Sequence, residues 1–206
     1  MEKFYVHTVG AVPASKLTEA ISLAQGLADE SKAAGALRAS YGTLMTGNNA
    51  GSIVFQQFFN SLDDFANVME AFGTSATYAK VIGTGLKVTM RNVAKFCDVP
   101  FTSPENPQRK FVVLTRGKAT VSQQEIIDLM AKSAPLFAEN GAQTFRLARL
   151  MTGNNAGDFL LGVTYPSMAA IEATYDALGA SPVVAKVYES MDVNARGIIR
   201  VRGAAM

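Results

Sequence analysis

Soft metal ligands and thiols are nearly missing from this chain, which has one cysteine, Cys97, and one histidine, His7, in 206 residues. A single thiol excludes an internal disulfide. One thiol with one imidazole cannot supply the four ligands of a structural zinc site, so no metal and no cofactor are expected. Charge is scarce too. Only 17% of residues are charged, and 19 basic against 17 acidic side chains leave a net charge of +2. Without a basic excess to pair with phosphates, no nucleic-acid partner is expected. Nowhere do 18 apolar residues follow one another, the length that a membrane-crossing helix needs, so no membrane partner is expected either. Residues 1–6 run straight into an apolar alternation without a charged and then apolar leader, which points to a cytoplasmic protein. No glycine-rich phosphate loop, serine elbow or paired-carboxylate signature is present. What the chain does have is apolar side chains, 49% of the total, enough for a real core.

It also has a repeat. Leu44-Met45-Thr46-Gly47-Asn48-Asn49-Ala50-Gly51 recurs letter for letter as Leu150-Met151-Thr152-Gly153-Asn154-Asn155-Ala156-Gly157, 106 residues on. An eight-residue identity within one short chain points to a duplicated unit. The same register pairs Ser61 with Ser167, Gly73 with Gly179 and Ala79-Lys80-Val81 with Ala185-Lys186-Val187. One deletion then aligns Arg91 with Arg196, and at the front Lys3-Phe4 matches Lys110-Phe111 and Thr8 matches Thr115. The reading is two units, 1–98 and 110–206, joined by a linker over 99–109 whose three prolines forbid a helix or a central strand.

Each unit carries one order of patterns. Residues 4–10 are β-rich, and 15–34 place Leu17, Ala20, Ile21, Ala24, Leu27 and Ala28 at helical spacing before Gly35. The apolar runs 37–45 and 53–59 flank the Gly-Asn-Asn-Ala-Gly turn as a hairpin. Ser61 caps a second helix, which Gly73 interrupts, and 87–96 alternates again. The second unit repeats this over 111–116, 123–140, 144–151, 159–165, 168–188 and 193–202. The order is βαββαβ, the ferredoxin-like arrangement, and the fold class is α+β. Right-handed crossovers put both helices on one face of such a four-stranded antiparallel sheet. The other face is not polar: Tyr41, Ile53, Val54, Phe55, Phe58 and Phe59 occupy both parities, as do Phe145, Leu147, Phe159, Leu160 and Leu161. The economical cover is the sheet of the other unit, face to face, forming a barrel within one chain.

This order, with the Thr-Gly-Asn-Asn-Ala-Gly hairpin, an aromatic strand and a Ser-capped helix as in Tyr165-Pro166-Ser167-Met168, resembles the dimeric α+β barrel superfamily, and within it the NIPSNAP-like branch, as a tandem fusion. The resemblance covers most of the chain. It implies a sheet-paired barrel and a range of activities: cofactor-free quinone-forming monooxygenases, haem-degrading enzymes, chlorite dismutases and members without a known reaction. Fold alone does not choose among them.

Candidate site residues follow. His7 is a possible general base, and the haem-handling members would make a histidine an iron ligand, but its counterpart Leu114 reads as a tolerated strand position. Asn48, Asn49, Asn154 and Asn155 could bind a ligand at the barrel mouth, though a turn needing positive φ explains them more simply. Arg91 and Arg196 would form a carboxylate or phenolate site if they faced the barrel interior, whereas on edge strands they would prevent sheet-to-sheet pairing, the favoured reading. Tyr41, Gln56 and Gln57 could line a pocket, and Cys97 reads as inert. Two functions follow: a binding or structural module for a small apolar or aromatic molecule, and, as the alternative, a cofactor-independent monooxygenase acting on a phenolic or polycyclic substrate with His7 as base. A homodimer of the whole chain is compatible with either.

Overall fold

The computed structural model describes residues 2–206. Strand β1 (Phe4–Ala11) leads into α1 (Leu17–Ala33), the hairpin β2 (Arg38–Leu44) and β3 (Ile53–Phe59), the helices α2 (Leu62–Thr74) and α3 (Ala76–Gly83), and β4 (Lys87–Phe96). The second half follows the same order: β5 (Phe111–Ala119), α4 (Gln123–Glu139), β6 (Thr144–Leu150), β7 (Phe159–Tyr165), α5 (Met168–Gly179), α6 (Pro182–Ser190) and β8 (Met191–Ala205). Helix starts are built as their sequences suggest. Ser61 and Asp64 exchange bonds in a capping box at α2, Ser122 and Glu125 do so at α4, and each pair satisfies amides that the first turn cannot.

The helix expected over 168–188 is two helices. Pro182 disfavours a helical residue before it, so Ser181 is extended at ψ 118 and its side chain caps α6, with Pro182 at the helix start. The first half breaks at the equivalent Ser75, whose hydroxyl accepts the Tyr78 amide at 2.9 Å, and not at Gly73, which stays inside α2.

Each half contributes four antiparallel strands, in the orders β4-β1-β3-β2 and β8-β5-β7-β6, and the two sets join at both ends into one closed barrel. One junction runs between β2 and β8, from Ala39 opposite Ala205 to Leu44 opposite Ile199. The other is shorter, with Ala94 to Phe96 of β4 against Leu150 to Ala148 of β6. A closed barrel has no edge, so β4 and β8 are internal strands. Keeping an edge unpaired therefore cannot be what Arg91 and Arg196 are for.

Closure gives every strand an outer face under helices and an inner face toward the lumen. Outside the first half, Val6, Phe59, Val68 and Phe72 form one cluster; outside the second, Ile126, Met130, Phe137, Phe145 and Tyr165 form the larger one. Inside, side chains of both halves mix: Tyr5, Phe58 and Ala94 pack with Ala148, Leu150 and Leu160, and Val9 and Val54 pack with Val112 and Ile199. The bare sheet face of each half is thus covered by the other.

The identical octets fasten the halves together. Met45 donates its amide to the Ile198 carbonyl at 2.7 Å, and the Thr46 hydroxyl accepts the Ile198 amide at 3.0 Å. On the opposite side Met151 donates to Val93 at 2.8 Å, and Thr152 accepts from Val93 at 2.9 Å. Each hairpin loop therefore continues a junction with one backbone bond and one threonine side-chain bond onto the last strand of the other half. Positive φ in the loops belongs to Gly47, Gly51, Gly153 and Gly157 alone, and among the described residues no non-glycine has it. The asparagines do not serve the turn by left-handed geometry, contrary to expectation.

Candidate binding cavity

A cavity of about 410 Å³ opens at one end of the barrel, where β1, β2, β5 and β6 begin. That size lies in the range of small-molecule sites. Its apolar wall comes from Tyr5, Phe58, Phe96, Leu114, Leu160 and Val201. The Phe58 and Phe96 rings are nearly parallel, with centroids 6.1 Å apart, and Tyr5 leans on Phe58 at 5.1 Å.

A polar chain enters this wall from the first half. The Gln56 amide nitrogen donates to the Tyr5 oxygen at 2.6 Å, and the Ser40 hydroxyl donates to the other end of the same amide at 3.3 Å. Tyr5 Oη lies 3.0 Å from His7 Nδ1. With the amide nitrogen donating, the phenol has its own proton to give to Nδ1, the arrangement that uses every group when His7 carries its proton on Nε2. Burial pushes His7 down to about 4, so the imidazole is neutral at pH 7. Burial also raises Tyr5, against smaller opposing effects of Gln56 and Arg38, and keeps it a neutral phenol. The chain thus presents one Tyr5 hydroxyl to the cavity, held in orientation from behind.

The mouth is ionic. Arg38 binds the Glu2 carboxylate through Nε at 2.5 Å, and Arg146 binds its second oxygen at 3.0 Å. Both guanidinium groups lie on aromatic faces, Arg38 at 3.3 Å from the Phe58 centroid and Arg146 at 4.2 Å from that of Phe96. Such stacking fixes the plane of each group. Burial raises the Glu2 carboxyl, but the hydrogen bond and charge of Arg38, with Arg146 and Arg109, outweigh it and hold Glu2 below the ordinary carboxylate range. Arg109, delivered by the segment between β4 and β5, also lines the cavity, and its buried Nε has no hydrogen-bond partner.

The residues singled out in the sequence mostly lie elsewhere. Arg91 and Arg196 occupy equivalent outer-face positions, each donating through Nε to a matching threonine, Thr8 at 3.2 Å and Thr115 at 3.0 Å. Arg196 also reaches Tyr188 and covers the Tyr175 ring. They do not meet in the lumen. Tyr41 lies outside too, packed with Ala24 and Ala28 of α1, and Gln57 binds Ser31 there. Asn48, Asn49 and Asn154 are exposed and Asn155 half-buried, all at the barrel end opposite the cavity. At that end the interior is filled by Val9, Val54 and Ile199, with Arg116 held by Asn194 at 2.7 Å. His7 stands behind Tyr5 and is not part of the cavity wall. Its Nδ1 is engaged, so the chain's only imidazole does not fit the role of an axial ligand to a haem held in the cavity. Among the described residues no group of three or more His, Cys, Asp or Glu could hold a metal ion, and no helix is long and apolar enough to cross a membrane.

Tyr5, Phe58, Phe96, Arg38, Arg109, Arg146 and Glu2 were not among the sequence candidates, yet the sequence carried a signal for them. In β1 and β5 the outward residues agree between halves, Phe4 with Phe111, Val6 with Val113 and Thr8 with Thr115, whereas the inward ones differ: Tyr5 against Val112, His7 against Leu114. The same holds in β4 and β8, where Arg91, Val93 and Lys95 face Arg196, Ile198 and Arg200, but Asn92 and Phe96 stand against Gly197 and Val201. The cavity is built from positions where the repeat breaks.

A closed eight-stranded α+β barrel with a small-molecule cavity at one end is the class of protein that these observations define. The chain belongs to the family described as a domain of unknown function (DUF6854), whose model matches residues 2–96 and 109–201. No curated protein matches it by sequence. Among solved structures it is similar to a presumed monooxygenase from Lactobacillus acidophilus, at TM-score 0.66 and 12% identity over 100% of this chain and 97% of that one. An anthrone oxidase-like protein superposes at TM-score 0.64 and 14% identity, covering 100% and 93%. A mutant chlorite dismutase from Candidatus Nitrospira defluvii gives 0.67 and 11%, covering 98% and 93%. At such identities the likeness establishes the dimeric α+β barrel fold and leaves the activity to the site.

Proposed function

We propose that the barrel binds a small apolar or aromatic molecule in the cavity between its two halves, and that the halves descend from a tandem duplication of a NIPSNAP-like unit whose interior has since become one-sided. The observation that carries this reading is the cavity itself: an aromatic wall of Tyr5, Phe58 and Phe96 facing the aliphatic Leu114, Leu160 and Val201, with one oriented hydroxyl at its edge. Aromatic surfaces around a concave space take flat apolar ligands, and a single placed hydroxyl sets their orientation.

A neutral fluorescent probe, N-phenyl-1-naphthylamine, tests this. It should bind one per chain with enhanced emission, and Ala148→Phe, which fills the lumen from β6, should abolish binding while the protein still melts cooperatively. Equal binding by the filled variant would place the probe elsewhere and remove the reading.

A second reading is a cofactor-independent monooxygenase acting on a phenolic or polycyclic substrate. The Gln56–Tyr5–His7 chain favours it, because the neutral imidazole is a proton acceptor behind a phenol that touches the cavity. Deprotonated substrate would react with dioxygen, one oxygen atom entering the product as a carbonyl and the other leaving as water. Against it stands the burial that holds His7 at about 4, since a base so weak at neutral pH accepts a proton poorly. Oxygen uptake in the presence of anthrone, lost in His7→Leu, would promote this reading over the first.

A further inference from the structure

The cavity wall carries five cationic side chains, Arg38, Arg109, Lys110, Arg146 and Arg202, and no acidic side chain. The excess is concentrated by the fold. Arg202 is the extra residue of a bulge where β8 meets β2, and Arg109 comes from the segment that crosses between the halves. Glu2 is the acidic side chain that meets these charges, and both its oxygens are taken, by Arg38 and Arg146. Three guanidinium groups around one carboxylate leave a positive mouth, and the Arg109 Nε is buried without an acceptor. The group that answers such an excess best is an oxyanion, which a guanidinium can grip with two parallel bonds.

Resting on the proposed binding function, we infer that the ligand is an aromatic carboxylic acid, its flat body against Phe58 and Phe96 and its carboxylate at the mouth on Arg109. The placement follows from the lining and from the stacked arginines. The stacked arginines cap the same two rings that form the wall, so a ring lying there puts a substituent directly among the guanidinium groups. Deeper in, Tyr5 Oη donates to His7 and accepts from Gln56, which leaves one lone pair for a hydroxyl on the far side of the ligand.

Competition against bound N-phenyl-1-naphthylamine tests the inference apart from the binding function on which it rests. The probes are 2-naphthoate and its neutral counterpart 2-naphthamide, alike in shape. The acid should displace the reporter with an affinity at least about tenfold higher than the amide, a preference that falls with added salt. Arg109→Gln should erase most of that preference, while Arg109→Lys should retain part of it. Acid and amide competing equally would overturn the carboxylate inference with the cavity intact. A preference that survives in Arg109→Gln would overturn the assignment of the carboxylate to Arg109. Failure of the reporter itself to bind would overturn the binding function and this inference together.

Discussion

At the level of single residues, the account turns on His7 and on the octet loops. His7 is held at about 4 by burial in the folded chain, against about 6.5 when unfolded. Its pKa is depressed, so the unfolded chain takes up the proton first as pH falls. Full stability is therefore present above about pH 6.5 and declines down to about pH 4, by roughly 3 kcal/mol in all. His7→Leu, which places in β1 the residue that β5 carries at Leu114, should remove that decline. Chemical denaturation at a series of pH values checks this; an unchanged acid slope would mean that other groups cause it. In the loops, the glycines hold the positive φ and the asparagines are not constrained by it. Replacing Asn48 and Asn49 by alanine should change stability by less than about 0.5 kcal/mol, the usual scale for surface substitutions. Gly153→Ala should cost more than about 1 kcal/mol by the same unfolding measurement, because its φ is +87° and an added Cβ would run into Asn92.

Among secondary-structure elements, the paired junctions do the work that edge strands do in an open sheet. The octet bonds onto Ile198 and Val93 tie each hairpin to the other half. Thr46→Val and Thr152→Val, keeping shape but losing the acceptor, should each destabilise the barrel by about 1 kcal/mol, and the two effects should add because the junctions lie on opposite sides of the barrel. These elements were largely legible in advance. Strand alternation, serine caps and the repeat led to βαββαβ twice over, and apolar residues on both sheet faces led to a face-to-face barrel. What could not be read was how the sheets end. A strand with alternating Arg and Lys looks the same whether its outer face meets solvent or helices, so Arg91 and Arg196 suggested edges when their real partners are Thr8 and Thr115. Pro182 did announce a helix break, but the continuous apolar pattern over 168–188 masked it.

Across the whole molecule, shared and unshared residues divide by role. Duplicated residues drew attention because identity between halves is visible, and most of them proved to be outer packing, turns and junctions, which a symmetric barrel needs twice. A ligand that occupies one lumen needs its contacts once. The cavity therefore uses Tyr5, Gln56, Phe58 and Phe96, whose counterparts are Val112, Gly162, Thr164 and Val201, and Arg109 from a connecting segment that no strand pattern marks. The barrel also predicts that a half cannot stand alone: residues 1–98 expressed separately should sediment as a dimer or aggregate, because the inner face of Tyr5, Phe58 and Ala94 would lose its cover.

The central claim, that ligand binding resides in the inner positions where the halves differ, is tested most directly by the affinity of N-phenyl-1-naphthylamine for the double variant Phe58→Thr with Phe96→Val, which gives the first half the residues that the second half carries at those places. The account predicts a cooperatively folded protein whose affinity falls at least about tenfold, whereas Arg91→Gln with Arg196→Gln, altering what the halves share, leaves it unchanged. Undiminished affinity in the Phe58→Thr, Phe96→Val protein would contradict the account.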